Sequence, residues 1–333
     1  MTTTSPTIGR DARQTSGWQR FTRLAQSQGA LLALVLLVLF GVVRYGDTFY
    51  GNYNVAEVLR YNSMFGLIAL GMTFVIMTGG IDLSVGKMAA LASVLAALLS
   101  PYGAVAAFVG PVLVGVLVGV FNGYLIAHLK MPPFIVTLGT LLATSGLALI
   151  LANNSFVSVD FNSGFIQIGK DFLGVPVPVI IMLICYAIGI VTLNYTRFGR
   201  QVLAIGGNEE AARLMGLPVE RTKIAVYALS GGLAAMAGVI LATLTFTGIP
   251  NEGLGWELTA IAAVVVGGTV LTGGVGSVGT TLVGVLLLGL IFNILNFENG
   301  RGSISLSPYW QSVIRGVFLL VVVIFQSRLA RRK

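Results

Sequence analysis

Charge is scarce in this 333-residue chain: Asp, Glu, Lys and Arg make up 10% of it, against about 25% in a soluble domain. So few charged groups cannot cover a water-facing surface, which excludes a soluble globular, disordered or fibrous protein. Cysteine is rarer still. The single Cys185 excludes an internal disulfide framework, and its apolar neighbours mark it as a small core residue. The single histidine, His128, leaves no His pair for a zinc site and argues against a Ser/His hydrolase. Also missing are a GxxxxGK[ST] loop, a protein-kinase motif set and a dinucleotide fingerprint, so the chain has no energy source of its own and no cofactor is expected. What is abundant is apolar: 56% hydrophobic residues and a mean hydropathy of +0.90. That composition belongs to an integral membrane protein.

The apolar runs are continuous, as at 29–43 and 260–270, whereas a membrane β-barrel alternates polarity over stretches of about ten residues. Lipid offers no hydrogen bonds, so such runs must satisfy their backbone internally, as helices. The fold class is therefore all-α, a polytopic transmembrane bundle of about ten spans: 29–43, 56–77, 82–100, 103–127, 133–152, 177–194, 224–246, 257–272, 277–296 and 309–326. The Gly-rich junctions near 79 and 273 read as breaks within helices as readily as full loops. The first run is short, but a long polar leader precedes it and Arg44 and Tyr45 follow it in place of a cleavage site. It reads as an uncleaved span.

Ten spans put both termini on one side. That side collects the tails 1–28 and 327–333, Lys130, and Arg197, Arg200, Arg213, Arg221 and Lys223 of the loop 195–223. The other side receives only Arg44, Arg60, Lys170 and Arg301. The positive-inside rule makes the N- and C-termini of the transmembrane domain, 29–326, cytoplasmic. The basic tails meet anionic membrane lipid, which accounts for the net charge of +8 with no nucleic-acid partner.

Glycine, 43 residues, sits inside spans, where small side chains let helices approach closely. One string echoes another: Thr78-Gly79-Gly80-Ile81-Asp82-Leu83-Ser84-Val85-Gly86 and Thr272-Gly273-Gly274-Val275-Gly276-Ser277-Val278-Gly279. Both follow an apolar span and open another. Duplicated transporter halves leave such traces, with Gly-broken segments directed at the transport path, although two Gly-Gly turns can also converge. Gly79, Gly80, Asp82, Ser84, Gly86, Gly273, Gly274 and Gly276 are the translocation-path candidates.

Asp82 is the only acidic residue the reading places at membrane depth, which makes it a functional candidate by default. An ion-coupled secondary carrier would use it as its ion site. The preferred account is a cap: Asp82 stands where a helix starts and can accept its free N–H groups, with Ser84 assisting. An ion-coupled carrier would also be expected to offer further intramembrane carboxylates, and none is apparent. Lys87 reads as pore-facing or interfacial, and Arg315 as snorkelling or internally paired.

The loop 195–223 carries Gly207-Asn208-Glu209-Glu210-Ala211-Ala212-Arg213-Leu214-Met215-Gly216-Leu217-Pro218. Asn208 can cap a helix whose first turn holds Glu209 and Glu210, Gly216 fits a left-handed C-terminal cap, and Pro218 stops it. Ala211, Leu214 and Met215 share a face. Two turns do not persist alone in water, so the helix docks on its own bundle or on a partner. Without its own ATPase, a transporter runs on a gradient or borrows a motor.

The strings GMTFVIMTGGIDLSVG (71–86), PPFIVTLGT (132–140), YTRFGRQVLAIGGNEEAARLMGLP (195–218) and AIAAVVVGGTVLTGGVGSVGTTLVG (260–284) closely resemble permease subunits of bacterial ABC-type sugar importers, the ribose, arabinose, xylose, galactose and galactofuranose systems. The resemblance runs from about residue 55 to residue 326 and is closest to galactofuranose-type permeases, which pair asymmetrically. It implies an inner-membrane protein, itself non-catalytic, that dimerises with a second permease as a homo- or heterodimer. A periplasmic sugar-binding protein would deliver a pentose or hexose, and ABC ATPase subunits would drive the cycle. It also implies that Asn208, Glu209, Glu210, Ala211, Ala212, Arg213, Leu214, Met215 and Gly216 form the coupling helix seated in the ATPase. Lys87 departs from the family pattern, where Ser is expected. Asn122, Asn293, Asn296, Trp256 and Phe246 are further polar or aromatic candidates in or near spans, each of a type more often found in packing than in ligand contact.

Overall fold

The computed structural model describes residues 17–300 together with 310, 313, 314, 316, 317 and 320, with side chains from residue 29 apart from that of residue 300. Twelve α-helices follow one another among the residues up to 300: α1 Gly17–Tyr45, α2 Asp47–Tyr50, α3 Asn52–Met77, α4 Val85–Leu99, α5 Ala104–His128, α6 Pro133–Leu151, α7 Val177–Tyr195, α8 Arg197–Gly207, α9 Glu209–Leu214, α10 Val219–Thr245, α11 Trp256–Val266 and α12 Val278–Gly300. Seven are long and apolar enough to cross a membrane, counting α4 with the 3-10 turn that extends it to Tyr102, and Gly29–Tyr45 and Trp256–Val266 are shorter apolar helices. The expected run 309–326 lies outside the described residues apart from the six positions named, and so do the tail 327–333 and most of 1–28; α1 itself starts inside that leader, at Gly17.

Two expected spans are not simple crossings. The run 257–272 holds only ten helical residues, and 82–100 becomes helical at Val85. Two short antiparallel pairings also appear: β1 (Val157–Ser158) with β4 (Thr247–Gly248), and β2 (Asp171–Phe172) with β3 (Val175–Pro176).

Helices α3, α4 and α10 are the most enclosed, and α5, α6 and α7 keep most of their apolar surface outward, as lipid-facing helices do. α5 and α10 cross where Gly115 and Gly231 lie backbone to backbone, and a Cβ on either would strike the other's carbonyl oxygen. α3 and α12 run antiparallel, tied in sequence by Thr73 Oγ1 to Thr281 Oγ1 at 3.0 Å, Asn62 against Gly289, and Asn293 Nδ2 donating to Asn54 Oδ1 at 2.8 Å.

Candidate functional site

Helix α3 ends in a left-handed turn that its sequence dictates. Gly79 takes φ +78°, its N–H donates to Ile76 O at 2.9 Å, and the Gly80 N–H reaches back to Val75 O at 3.1 Å. The chain then climbs beside the helix it has just left. Ser230 packs its Cα against Gly71, six residues or about 9 Å back along α3, and the Ser230 hydroxyl donates to Asp82 Oδ2 at 2.8 Å. Helix α4 therefore starts inside the bundle and not at its surface.

Asp82 is fully buried. Its Oδ1 accepts the Ser84 N–H at 3.0 Å and the Ser84 hydroxyl at 2.6 Å. The carboxylate thus holds the residue just before α4 and ties it to α10, instead of reaching the N–H groups of the first helical turn. Asn122 Nδ2 donates to Ser84 Oγ at 3.3 Å from α5. Gly80 leaves the room that the buried Tyr227 hydroxyl occupies.

The two Gly-Gly strings meet. Gly274 N–H donates to Met77 O, the last carbonyl of α3, at 3.0 Å. Gly273 and Gly274 have φ of +87° and +76°, and their backbones abut Gly79 and the Gly206–Gly207 end of α8. A Cβ on Gly206 would collide with Met77 O and Gly274 N. Gly276 packs against the Met77 methyl and Thr269. Three chain segments converge here, each bringing glycine to the contact, and the third leads straight into α9.

Helix α9 is capped as its sequence requires. Asn208 Oδ1 accepts the Ala211 N–H at 2.9 Å, Gly216 has φ +76°, and Leu217 N–H closes on Ala212 O at 3.1 Å. Its docking surface is smaller than the expected Ala211, Leu214 and Met215 face. Ala212 is the buried contact, packed with Ile205, Val219 and Leu217. Leu214 and Met215 are 87% and 70% exposed. Glu209 binds Lys223 at 2.6 Å and Arg213 at 3.5 Å, and Arg213 also pairs with Glu220. These pairs brace the helix against α10. Glu210 is exposed, and so are Arg200 and Arg221.

Glu257 escaped the sequence reading, which admitted one deep acid. It opens α11 and is 7% exposed. Oε1 accepts the Gly255 N–H at 3.2 Å, and Oε2 is buried without a partner. Oε2 points at Gly86, whose missing Cβ makes the space. Beside it Lys87 Nζ donates to Glu252 O at 2.9 Å and Asn251 O at 3.3 Å. The available signal was a Glu one residue into the apolar string WELTAIAAVVV.

Of the aromatic candidates, Trp256 is buried and lies 5.0 Å from Phe65, whereas Phe246 is 46% exposed and lies 5.7 Å from Phe161, centroid to centroid. Arg315 lies outside the described residues. Among those described, no cluster of His, Cys, Asp or Glu is arranged to hold a metal ion.

Comparison with known proteins adds a consistent set of relatives. Residues 54–323 match a family described as the permease component of the branched-chain amino acid transport system. The ribose import permease protein RbsC of Bacillus subtilis is 41% identical over 92% of this chain and 95% of its own length. The L-arabinose transport system permease protein AraH of Escherichia coli is 42% identical over 79% of each chain. The inner membrane ABC transporter permease protein YjfF of Escherichia coli is 38% identical over 83% of this chain and 84% of its own.

Proposed function

The chain belongs to the ABC-importer permease family that includes the ribose and L-arabinose import permeases, as a multi-pass inner-membrane protein, and from that premise we propose that it moves a monosaccharide into the cytoplasm on ATP hydrolysed by separate subunits. The observation that carries the reading is the capped α9, with Leu214 and Met215 held out into solvent while Ala212 anchors the helix. Apolar side chains held outward on a braced two-turn helix are a docking surface. The partner is an ABC ATPase, and the basic side of the bundle, with both termini, faces it in the cytoplasm.

A second permease, identical or paralogous, completes the passage, and a periplasmic binding protein delivers the sugar. The substrate is a pentose or hexose. Ribose and L-arabinose lead, because the relatives near 40% identity carry those names, and galactofuranose follows. Asp82 supports a borrowed motor over an ion-coupled cycle. Both its oxygens are taken by serine donors inside the bundle, so Asp82 itself has no vacant oxygen to load an ion.

Gentle-detergent purification from native membranes tests the partner set, and uptake of labelled ribose, arabinose, galactofuranose and leucine tests the substrate. Recovery of an ATPase with ATP-dependent sugar uptake is expected. Recovery of the chain alone, with solute movement driven by a proton or Na⁺ gradient, would replace the reading with an ion-coupled carrier. Leucine uptake without sugar uptake would move it to the amino-acid branch of the family.

A further inference from the structure

Between α10 and α11 the chain does something that lipid does not tolerate. Residues 246–255 are not helical. Gly248 packs on the backbone of Ser93 and Val94, the Ile249 N–H donates to Ser93 Oγ at 3.1 Å, and Gly253 lies backbone to backbone with Gly86. The segment thus runs along α4 from about 9 Å to about 20 Å below that helix's Leu99 end, deep within a hydrocarbon layer about 30 Å thick. Helix α11 starts from that depth, with Trp256 against Phe65 of α3.

Irregular backbone at such depth survives only where protein or water covers it. Yet Asn251 is exposed, and Leu254 and Leu258 are 76% and 47% exposed. Just beneath this face lies Glu257 with its unpartnered Oε2, and Lys87 pins the segment through two carbonyls. α4 and α11 both present their N-termini to this junction.

We propose that residues 249–258, with Glu257 and Lys87, line the substrate passage between this chain and a second permease, and that Glu257 Oε2, enclosed against Gly86 in this state, accepts a hydroxyl of a neutral, hydroxyl-rich substrate once the passage opens. Glu257 is the contact group. Lys87 and Gly86 are positioning residues, the first holding the irregular segment in place and the second making room for the carboxylate. A single free acceptor suits a passage, where a brief hold serves transport better than a tight site. The inference deepens the import reading and rests on it.

Two measurements on the assembled importer test it. In a Cys185→Ser background, Asn251→Cys is exposed to a charged methanethiosulfonate, which modifies thiolates that meet water. Modification is expected at least tenfold faster than at Leu113→Cys on the outward face of α5, and slower while ribose or arabinose is being transported. Rates no faster than at Leu113 would mean that lipid, or protein such as this chain's own 309–326 run, seals the face, and would overturn the proposal. In the second, Glu257→Gln keeps an oxygen for the Gly255 N–H and puts an amide NH2 in place of the free acceptor, and is expected to lower sugar moved per ATP hydrolysed about tenfold, the loss of one accepted hydrogen bond. A merely structural role would lower transport and ATP hydrolysis together, and that result, or an unchanged ratio, counts against the contact. Wild-type importer that takes up no sugar would sink the import reading alone, and the thiol labelling would still judge the lining.

Discussion

Replacing both Leu214 and Met215 with Ser separates docking from folding, because the two side chains do nothing for the isolated chain. They stand 87% and 70% exposed, so removing them from a surface should change stability by about 0.5 kcal/mol or less. In a groove of the ATPase each would lose its contact with water, worth roughly 1.5–3 kcal/mol per side chain. Allowing for partial burial, the pair contributes about 3–4 kcal/mol, so the double variant should bind its ATPase some hundred- to thousandfold more weakly. The assay is copurification of the ATPase in mild detergent across a dilution series, beside a thermal unfolding curve of the permease alone. The expected result is an unchanged unfolding curve, lost ATPase and lost uptake. Ala212→Asp is the contrasting variant: Ala212 is fully buried against Ile205 and Val219, so it should disturb the helix itself and lower thermal stability. A Leu214/Met215 double variant that keeps its ATPase and transports normally would refute the docking assignment.

Gly274→Ala forces a left-handed residue and drives a Cβ to 2.9 Å from Gly207. It should cost about 2–3 kcal/mol, strain and clash together, seen as a lower unfolding midpoint, and an unchanged midpoint would show that the glycine junction is loose. Asp82→Asn keeps an acceptor for Ser84 and a donor for Ser230, so uptake should stay within about twofold of wild type, whereas Asp82→Ala, which orphans those groups, should lose about 2–4 kcal/mol of stability. Loss of uptake in Asp82→Asn at full stability would instead identify an ion site. Glu209→Gln breaks half-exposed pairs with Lys223 and Arg213 and should shift stability by less than about 1 kcal/mol; a larger drop would mean that these pairs, more than Ala212, hold α9 in place.

Local rules made much of the site legible. The Gly79 and Gly216 turns and the Asn208 cap depend on residues within one turn of each other, so residue type alone specifies them. Apolar run length likewise located the helices that cross completely. Path was not legible. Hydropathy counts apolar residues without saying where a segment begins in depth, so 82–100 and 257–272 looked like full spans although α4 and α11 start inside the bundle. The cause is tertiary: Asp82 with Ser230, and Gly86 with Gly253, are contacts between segments about 150 residues or more apart in sequence that leave no periodic trace. Glu257 was missed for the same reason. At the head of an apolar run a Glu looks like an interfacial residue, and only the descent of 246–255 along α4 carries it into the interior.

The import reading is tested most directly by reconstituting the copurified complex in liposomes with ATP supplied on one face and labelled ribose or L-arabinose, with the cognate binding protein, on the other. Sugar accumulation that needs ATP and the binding protein, and persists when proton and Na⁺ gradients are collapsed, is the predicted result. Accumulation by this chain without an ATPase, abolished when those gradients are collapsed, would contradict it.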